Sequence, residues 1–374
     1  MRKIAIGAIV LLWASLSCAA QTKRWSEDKA HEWYANQPWL VGSNYIPATL
    51  INELEIWQAE TFDPQRIDLE LGWAESLGFN TMRVFLHDLL WQQDADGFKK
   101  RLDIFLNIAK KHHIRPLFVL FDSCWDPNPK LGKQHAPTPG VHNSGWVQSP
   151  GAAALKDAAQ YPRLEAYVKG VVGAFAKDER VLSWDVWNQP RNTNEGSYEK
   201  EEAANKKDLV EALLPKVFLW ARAAGATQPL TSGLFEGDWS APEKLGAMER
   251  IQLKLSDVIT FHNYDKPEEF ERRVKWLQAY HRPILCTEYM ARGNGSTFQG
   301  ILPLAKKYHV AAYNWGLVAG KTQTYFPWDS WQKPYTDHAP AQWHHDIFQM
   351  DGTPYNAQET EFLKTILKGQ RAMD

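Results

Sequence analysis

Short apolar runs and longer amphipathic stretches take turns along this chain, and their periods differ. The runs Leu40 to Tyr45, Asn80 to Leu86, Arg115 to Asp122, Val181 to Asn188, Pro229 to Phe235, Val258 to Tyr264, Pro283 to Glu288 and Val310 to Trp315 are short and rich in β-branched and aromatic residues, as buried strands are. Between and after them, Pro64 to Leu77, Phe98 to Lys111, Leu164 to Phe175, Asp208 to Ala224, Pro242 to Lys254, Pro267 to Tyr280, Phe298 to Lys307 and Asn356 to Lys368 carry apolar residues at helical spacing. Asp63-Pro64 reads as an N-cap followed by proline in the first turn. Eight strand–helix units in one run, with no low-complexity linker and no internal repeat, predict an α/β fold: a single-domain (β/α)8 TIM barrel.

The connections after strands are longer than those after helices. Asp122 to Ala159 is rich in Pro and Gly, Gln189 to Lys206 is polar, and Gly316 to Phe348 is long and aromatic. In a barrel all of these lie on the C-terminal face, where active sites are built. A deep cleft is expected there.

Composition sharpens this reading in three ways. The chain has 374 residues, 44% hydrophobic and 23% charged, with a net charge of −2, so it has core material for one large domain and no electrostatic footprint for nucleic acid. Eighteen Trp is a heavy load, and Trp125, Trp146, Trp239, Trp328 and Trp331 fall in stretches that also hold Gly, Pro, Asn and Asp. Flat apolar rings with a polar edge suit the faces of sugars, although core packing is their commoner use. Third, Arg2 and Lys3, the apolar Ile4 to Ser17, and Ser17-Cys18-Ala19-Ala20 predict a signal peptide over residues 1–20 and a domain over 21–374, exported to the periplasm or beyond. The apolar run is too short to span a bilayer, and Ser15 stands where a lipoprotein signal would have Leu before Cys18. Cys124 and Cys286 then remain, each after an apolar run, and are expected as buried free thiols.

Polar residues gather at the predicted strand ends: Arg83, His87 and Asp88 on the second, Asp122 and Asp126 on the third, Asn188 and Gln189 on the fourth, Glu236 and Asp238 on the fifth. His262 and Tyr264 end the sixth, Glu288 and Tyr289 the seventh, and Trp315 the eighth. With Gly78-Phe79-Asn80-Thr81-Met82-Arg83-Val84, Trp187-Asn188-Gln189-Pro190, His262-Asn263-Tyr264, Thr287-Glu288-Tyr289 and Trp315 in this order, the chain resembles clan GH-A glycoside hydrolases, and is most similar to family 5, the cellulase and mannanase family. The resemblance implies a retaining mechanism on a β-linked oligosaccharide or polysaccharide, without metal or organic cofactor, by a chain acting as a monomer. It makes Glu288 the nucleophile, with Arg83 holding its pKa down and Tyr264 orienting it. Asn188 would bond the 2-hydroxyl of the sugar, His262 would bind a hydroxyl, and Trp315 would be the platform beneath the ring, with Trp125 and Trp328 as further sugar contacts.

One residue departs from that pattern. Gln189 stands where the family places its acid/base Glu, and an amide has no proton to give. Either the leaving group departs unaided, or Glu236, Asp238 or Asp126 reaches in, or the cleft only binds sugar; the exchange could be natural or introduced. Two other motifs lead nowhere: Gly316 to Thr322 is one residue short of a phosphate-binding loop, and His112-His113 and His344-His345 lack a third ligand at metal spacing, so packing or surface roles are expected.

Overall fold

A computed structural model describes residues 23–369, so the expected signal peptide lies outside the described residues. Eight parallel strands are present: β1 Val41–Asn44, β2 Thr81–Phe85, β3 Arg115–Val119, β4 Ser183–Asp185, β5 Leu230–Thr231, β6 Ile259–His262, β7 Ile284–Tyr289 and β8 Ala311–Asn314. Their order is β5-β4-β3-β2-β1-β8-β7-β6, with β1 paired to both β2 and β8. Among the described residues the ends are joined by the bridge Leu234↔Phe261 and by the Asp257 N–H donating to Leu230 O at 2.8 Å. This is the expected (β/α)8 barrel, nearly closed, with its seam between β5 and β6.

Seven of the eight strands are shorter than their apolar runs, β7 being the exception, because the flanking residues leave the ladder while remaining buried or half-buried. Gly42 marks the tightest place in the wall: a Cβ there would lie 1.7 Å from Thr81 O, so only glycine lets β1 approach β2. The helix Pro64–Leu77 keeps its predicted start, with Asp63 accepting from the Arg66 N–H, and stops at Gly78 in the left-handed region (φ 94°). Elsewhere the structure adds to the pattern. The helix expected from Phe98 begins at Asp88, kinked at Asp94. The one expected from Pro242 is a short 3-10 turn, Pro242–Lys244, then a helix Ala247–Leu255.

Strand parity sorts the core into two shells. Met82, Val84, Phe118, Trp184, Phe261 and Cys286 face the helices, while Phe85, Leu117, Val119, Leu285 and Tyr313 fill the barrel. A helix that the sequence pattern did not announce, Glu27–Ala35, contributes Tyr34 to that inner cluster, its hydroxyl donating to His309 O at 2.9 Å. Toward the C-terminal mouth the filling changes from apolar to ionic. Arg83 and Asp185, each 0% exposed, are the inward residues of the layer above.

Candidate active site

Parity also shows why the seventh strand needs an irregularity. Cys286 faces the helices, so strict alternation would send Glu288 the same way. The register shifts between Cys286 and Tyr289, and Glu288 turns into the mouth instead. A second shift, between Phe261 and His262, sets His262 opposite Glu288.

Arg83 is the hub of the polar network at the mouth. One terminal nitrogen donates to Glu288 Oε1 and to Asn44 Oδ1, both at 2.9 Å; the other donates to Asp185 Oδ2 at 2.7 Å and Asn188 Oδ1 at 2.8 Å. Tyr264 donates its hydroxyl to Glu288 Oε2 at 2.7 Å, so the carboxylate is gripped at both oxygens. Asn188 is fixed by donating Nδ2 to Asp122 Oδ1 at 2.9 Å, and Asp122 in turn accepts from Trp146 Nε1 at 2.6 Å. Replacing Arg83 by Leu would leave Asp185 and Glu288 as neighbouring buried acids without their shared cation. A loss of about 3 to 5 kcal/mol in unfolding free energy is expected by denaturant titration near neutral pH; an unchanged midpoint would show that the hub is not structural.

Arg83 pulls the Glu288 pKa down as expected, but it does not keep the carboxyl in the ordinary carboxylate range. Burial pushes the carboxyl up to about 7. Arg83 and the Tyr264 hydroxyl pull the other way but do not win, since one guanidinium serves two buried acids and desolvation penalises each charge. His262 is held neutral, its pKa well below the usual imidazole value through burial and the Arg83 charge.

Gln189 sits across the mouth, in the left-handed region at φ 44°. Its Nε2 lies 2.9 Å from His262 Nδ1, and the same Nδ1 is 3.4 Å from Glu288 Oε2. The two side chains therefore approach within those two legs laid end to end, inside the roughly 9 Å limit of paired glycosidase carboxyls. The amide oxygen of Gln189 accepts from Asn192 Nδ2 at 2.9 Å and from the Cys124 thiol at 3.3 Å.

Above this floor opens a cleft of about 590 Å3 lined by Asn188, Gln189, Tyr264 and Glu288 among others. Trp125, Trp146, Trp315, Trp328 and Trp331 form much of its wall. Trp125 and Trp331 stack at 5.0 Å and 12°, and Trp328 meets Tyr264 edge-on. Trp239 is the exception: it is buried, donates Nε1 to Glu236 O and packs on Phe261. Arg83 and His262 stand behind the lining, joined to it through Glu288 and Gln189.

The candidate replacement acids do not line the cleft. Glu236 is exposed, Asp238 pairs with Lys244 at 2.8 Å, and Asp126 takes the Asn128 and Gln148 backbone N–H groups. The carboxyls that do line it besides Glu288 are Glu195 and Asp329, from the long loops after the fourth and eighth strands. Sequence reasoning also missed Asn192 and His142, which only loop folding brings in. Cys124, expected as a packed thiol, is half-buried and lines the cleft; Cys286 is buried, and both are free.

Buried His112 and exposed His113 pair with Asp68 and Glu75, whereas His344 and His345 are buried beside Trp328. Among the described residues, no three His, Cys, Asp or Glu side chains form a group able to hold a metal ion, and no helix is long and apolar enough to cross a membrane.

No protein-family model and no curated protein sequence matches the chain. Solved structures do. The exo-β-1,4-mannosidase from Opitutaceae bacterium strain TAV5 superposes with a TM-score of 0.60 at 17% identity, over 89% of this chain and 59% of that one. GH5_18 from Streptomyces cattleya, solved with GlcNAc, gives 0.60 at 12% identity, over 91% and 82%. The endo-β-1,4-mannanase from Thermotoga petrophila gives 0.56 at 13%, over 90% and 77%. These likenesses show a shared (β/α)8 barrel fold. This chain spans less than two-thirds of the Opitutaceae enzyme and most of the other two.

Proposed function

We propose that the protein is a retaining glycoside hydrolase of β-linked glycans or glycosides, with Glu288 as nucleophile and Gln189 in the acid/base place. The observation that carries this is Glu288, gripped by Arg83 and Tyr264 at the foot of a Trp-walled cleft with Gln189 facing it. Glu288 attacks the anomeric carbon as the bond to the leaving oxygen breaks, and that oxygen departs with the electron pair. Water then displaces Glu288, losing its proton to solvent. Because Gln189 supplies no proton, substrates whose leaving group is stable as an anion react best. β-Mannosides are the first to test, given what the structural neighbours are named for.

A specific observation favours a second reading, a carbohydrate-binding barrel without turnover. The carboxyls weighed as substitutes lie outside the cleft, and Asn192, Cys124 and His262 take both acceptor sites and one N–H of the Gln189 amide. Dinitrophenyl β-mannoside and β-glucoside separate the two readings. An enzyme releases a burst of phenolate and leaves a hexosyl group on the peptide that contains Glu288; sugar binding without release or label would leave the binding barrel standing.

The pH dependence adds a further expected outcome. Glu288 must be ionised to attack, so the first step should rise as pH passes through about 7 and then stay level. No descending limb is expected, because Gln189 has nothing to lose. A bell-shaped profile on an oligosaccharide, whose leaving oxygen needs a proton, would mean that another acid serves the reaction.

A further inference from the structure

Beside Trp315 lies a second, smaller recess of about 20 Å3, and Asn143, Trp146 and Trp315 belong to its wall and to that of the cleft. Phe85, Thr324 and Asp346 close it further in. Asn143 is 1% exposed, and neither its Oδ1 nor its Nδ2 meets a partner in the protein. Asp346, also 1% exposed, accepts from Thr324 Oγ1 on Oδ2 at 2.7 Å, while its Oδ1 is unpartnered. Native interiors pair nearly all such atoms, since burying one unpaired is costly. Three of them around one recess point to a polar visitor.

The size and lining of the recess say what that visitor can be. About 20 Å3 exceeds the minimum for one water and admits a group of one or two heavy atoms, so an acetamido group is too large. A carboxylate or phosphate would meet Asp346 with no Lys or Arg in the lining. Phe85 and Trp146 offer apolar faces to a methylene, while Asn143 and Asp346 offer donors and acceptors to the hydroxyl beyond it. Among the substituents of a pyranose, the hydroxymethyl group projects one carbon further from the ring than any hydroxyl. We propose that this recess receives the hydroxymethyl group of the sugar lying beside Trp315, held by Asn143 and Asp346, so that the site selects hexosides over pentosides. The inference rests on the carbohydrate reading of the cleft but not on catalysis.

Two pairs of nitrophenyl glycosides test it: β-mannoside against β-lyxoside, and β-glucoside against β-xyloside. Within each pair only the hydroxymethyl group differs. Titrated calorimetrically, the hexoside of whichever pair binds should be tighter by about tenfold or more. Asn143→Gly, which suits the backbone at φ 47°, should erase that difference while leaving the melting temperature without sugar little changed, because the Asn143 side chain bonds nothing in the protein. Asp346→Asn gives the same comparison if the first variant fails to fold. Equal affinities within a pair, or a preference that survives both substitutions, would overturn the recess assignment. Binding of none of the four would overturn it together with the carbohydrate reading, whereas hexoside-selective binding without cleavage would sink only the catalytic proposal.

Discussion

Replacing Gln189 by Glu should raise turnover of β-linked oligosaccharides by about 10²-fold or more, the usual contribution of a positioned general acid. The surroundings favour the exchange. Asn192 Nδ2 and the Cys124 thiol already donate toward the Gln189 oxygen and would donate equally to a carboxylate. His262 would have to offer a proton from Nδ1, where it now accepts from the amide. That change of tautomer sacrifices no bond, because His262 Nε2 has no partner in the protein. Folding should therefore be little altered, and thermal melts of the two forms should nearly coincide.

The gain should depend on the leaving group. On a dinitrophenyl glycoside the first step needs no acid, so Gln189→Glu should change it far less than it changes an oligosaccharide. On an oligosaccharide, where the leaving oxygen needs a proton, the rate of the variant should also fall at high pH as its introduced carboxyl loses its proton. If instead the native protein already cleaves oligosaccharides well and Gln189→Glu brings no gain, the chain is adapted to its amide and uses an acid from elsewhere. No activity in either form on any glycan would leave the binding barrel.

The barrel was legible because strand and helix periods alternate so regularly, and because long polar loops follow the strands on one side only. The residues of the mouth were legible where a strand end carried them: Arg83, Asn188, Gln189, Tyr264, Glu288 and Trp315 meet as their order implied. What stayed hidden depends on packing between distant segments. Tyr34 reaches the barrel interior from a helix whose polar sequence gives little sign of burial. Trp239 looks like its cleft-lining counterparts in composition, yet its loop folds it against Phe261. The Glu288 pKa could not be read from the presence of Arg83, because the outcome turns on complete burial and on Asp185 sharing the same cation. Asn143 and Asp346 lie in loops roughly 200 residues apart in sequence and meet only at the recess.

Replacing Glu288 by Gln should cost more than any other single change at the site. The amide keeps an oxygen for Arg83 and a group for the Tyr264 hydroxyl, so the cleft and its sugar affinity should persist. Without a nucleophile there is no glycosyl intermediate, and release of dinitrophenolate should fall by about 10⁴-fold or more. Native stability should shift with pH in a way that isolates the same carboxyl. Its pKa in the folded protein, about 7, lies above the ordinary 4.5, so folding favours the protonated form. The stability contributed by neutral Glu288 is full below about 4.5 and is lost as pH rises through about 7. The amide of the Glu288→Gln variant stays neutral throughout, and Asp346, which burial also raises to about 7, titrates in both forms and cancels. The melting temperature of Glu288→Gln relative to the native protein should therefore climb between about pH 4.5 and about pH 7, the window those values bound, and level off above it. A constant difference would mean that Glu288 ionises at its ordinary pH, and that Arg83 outweighs burial after all.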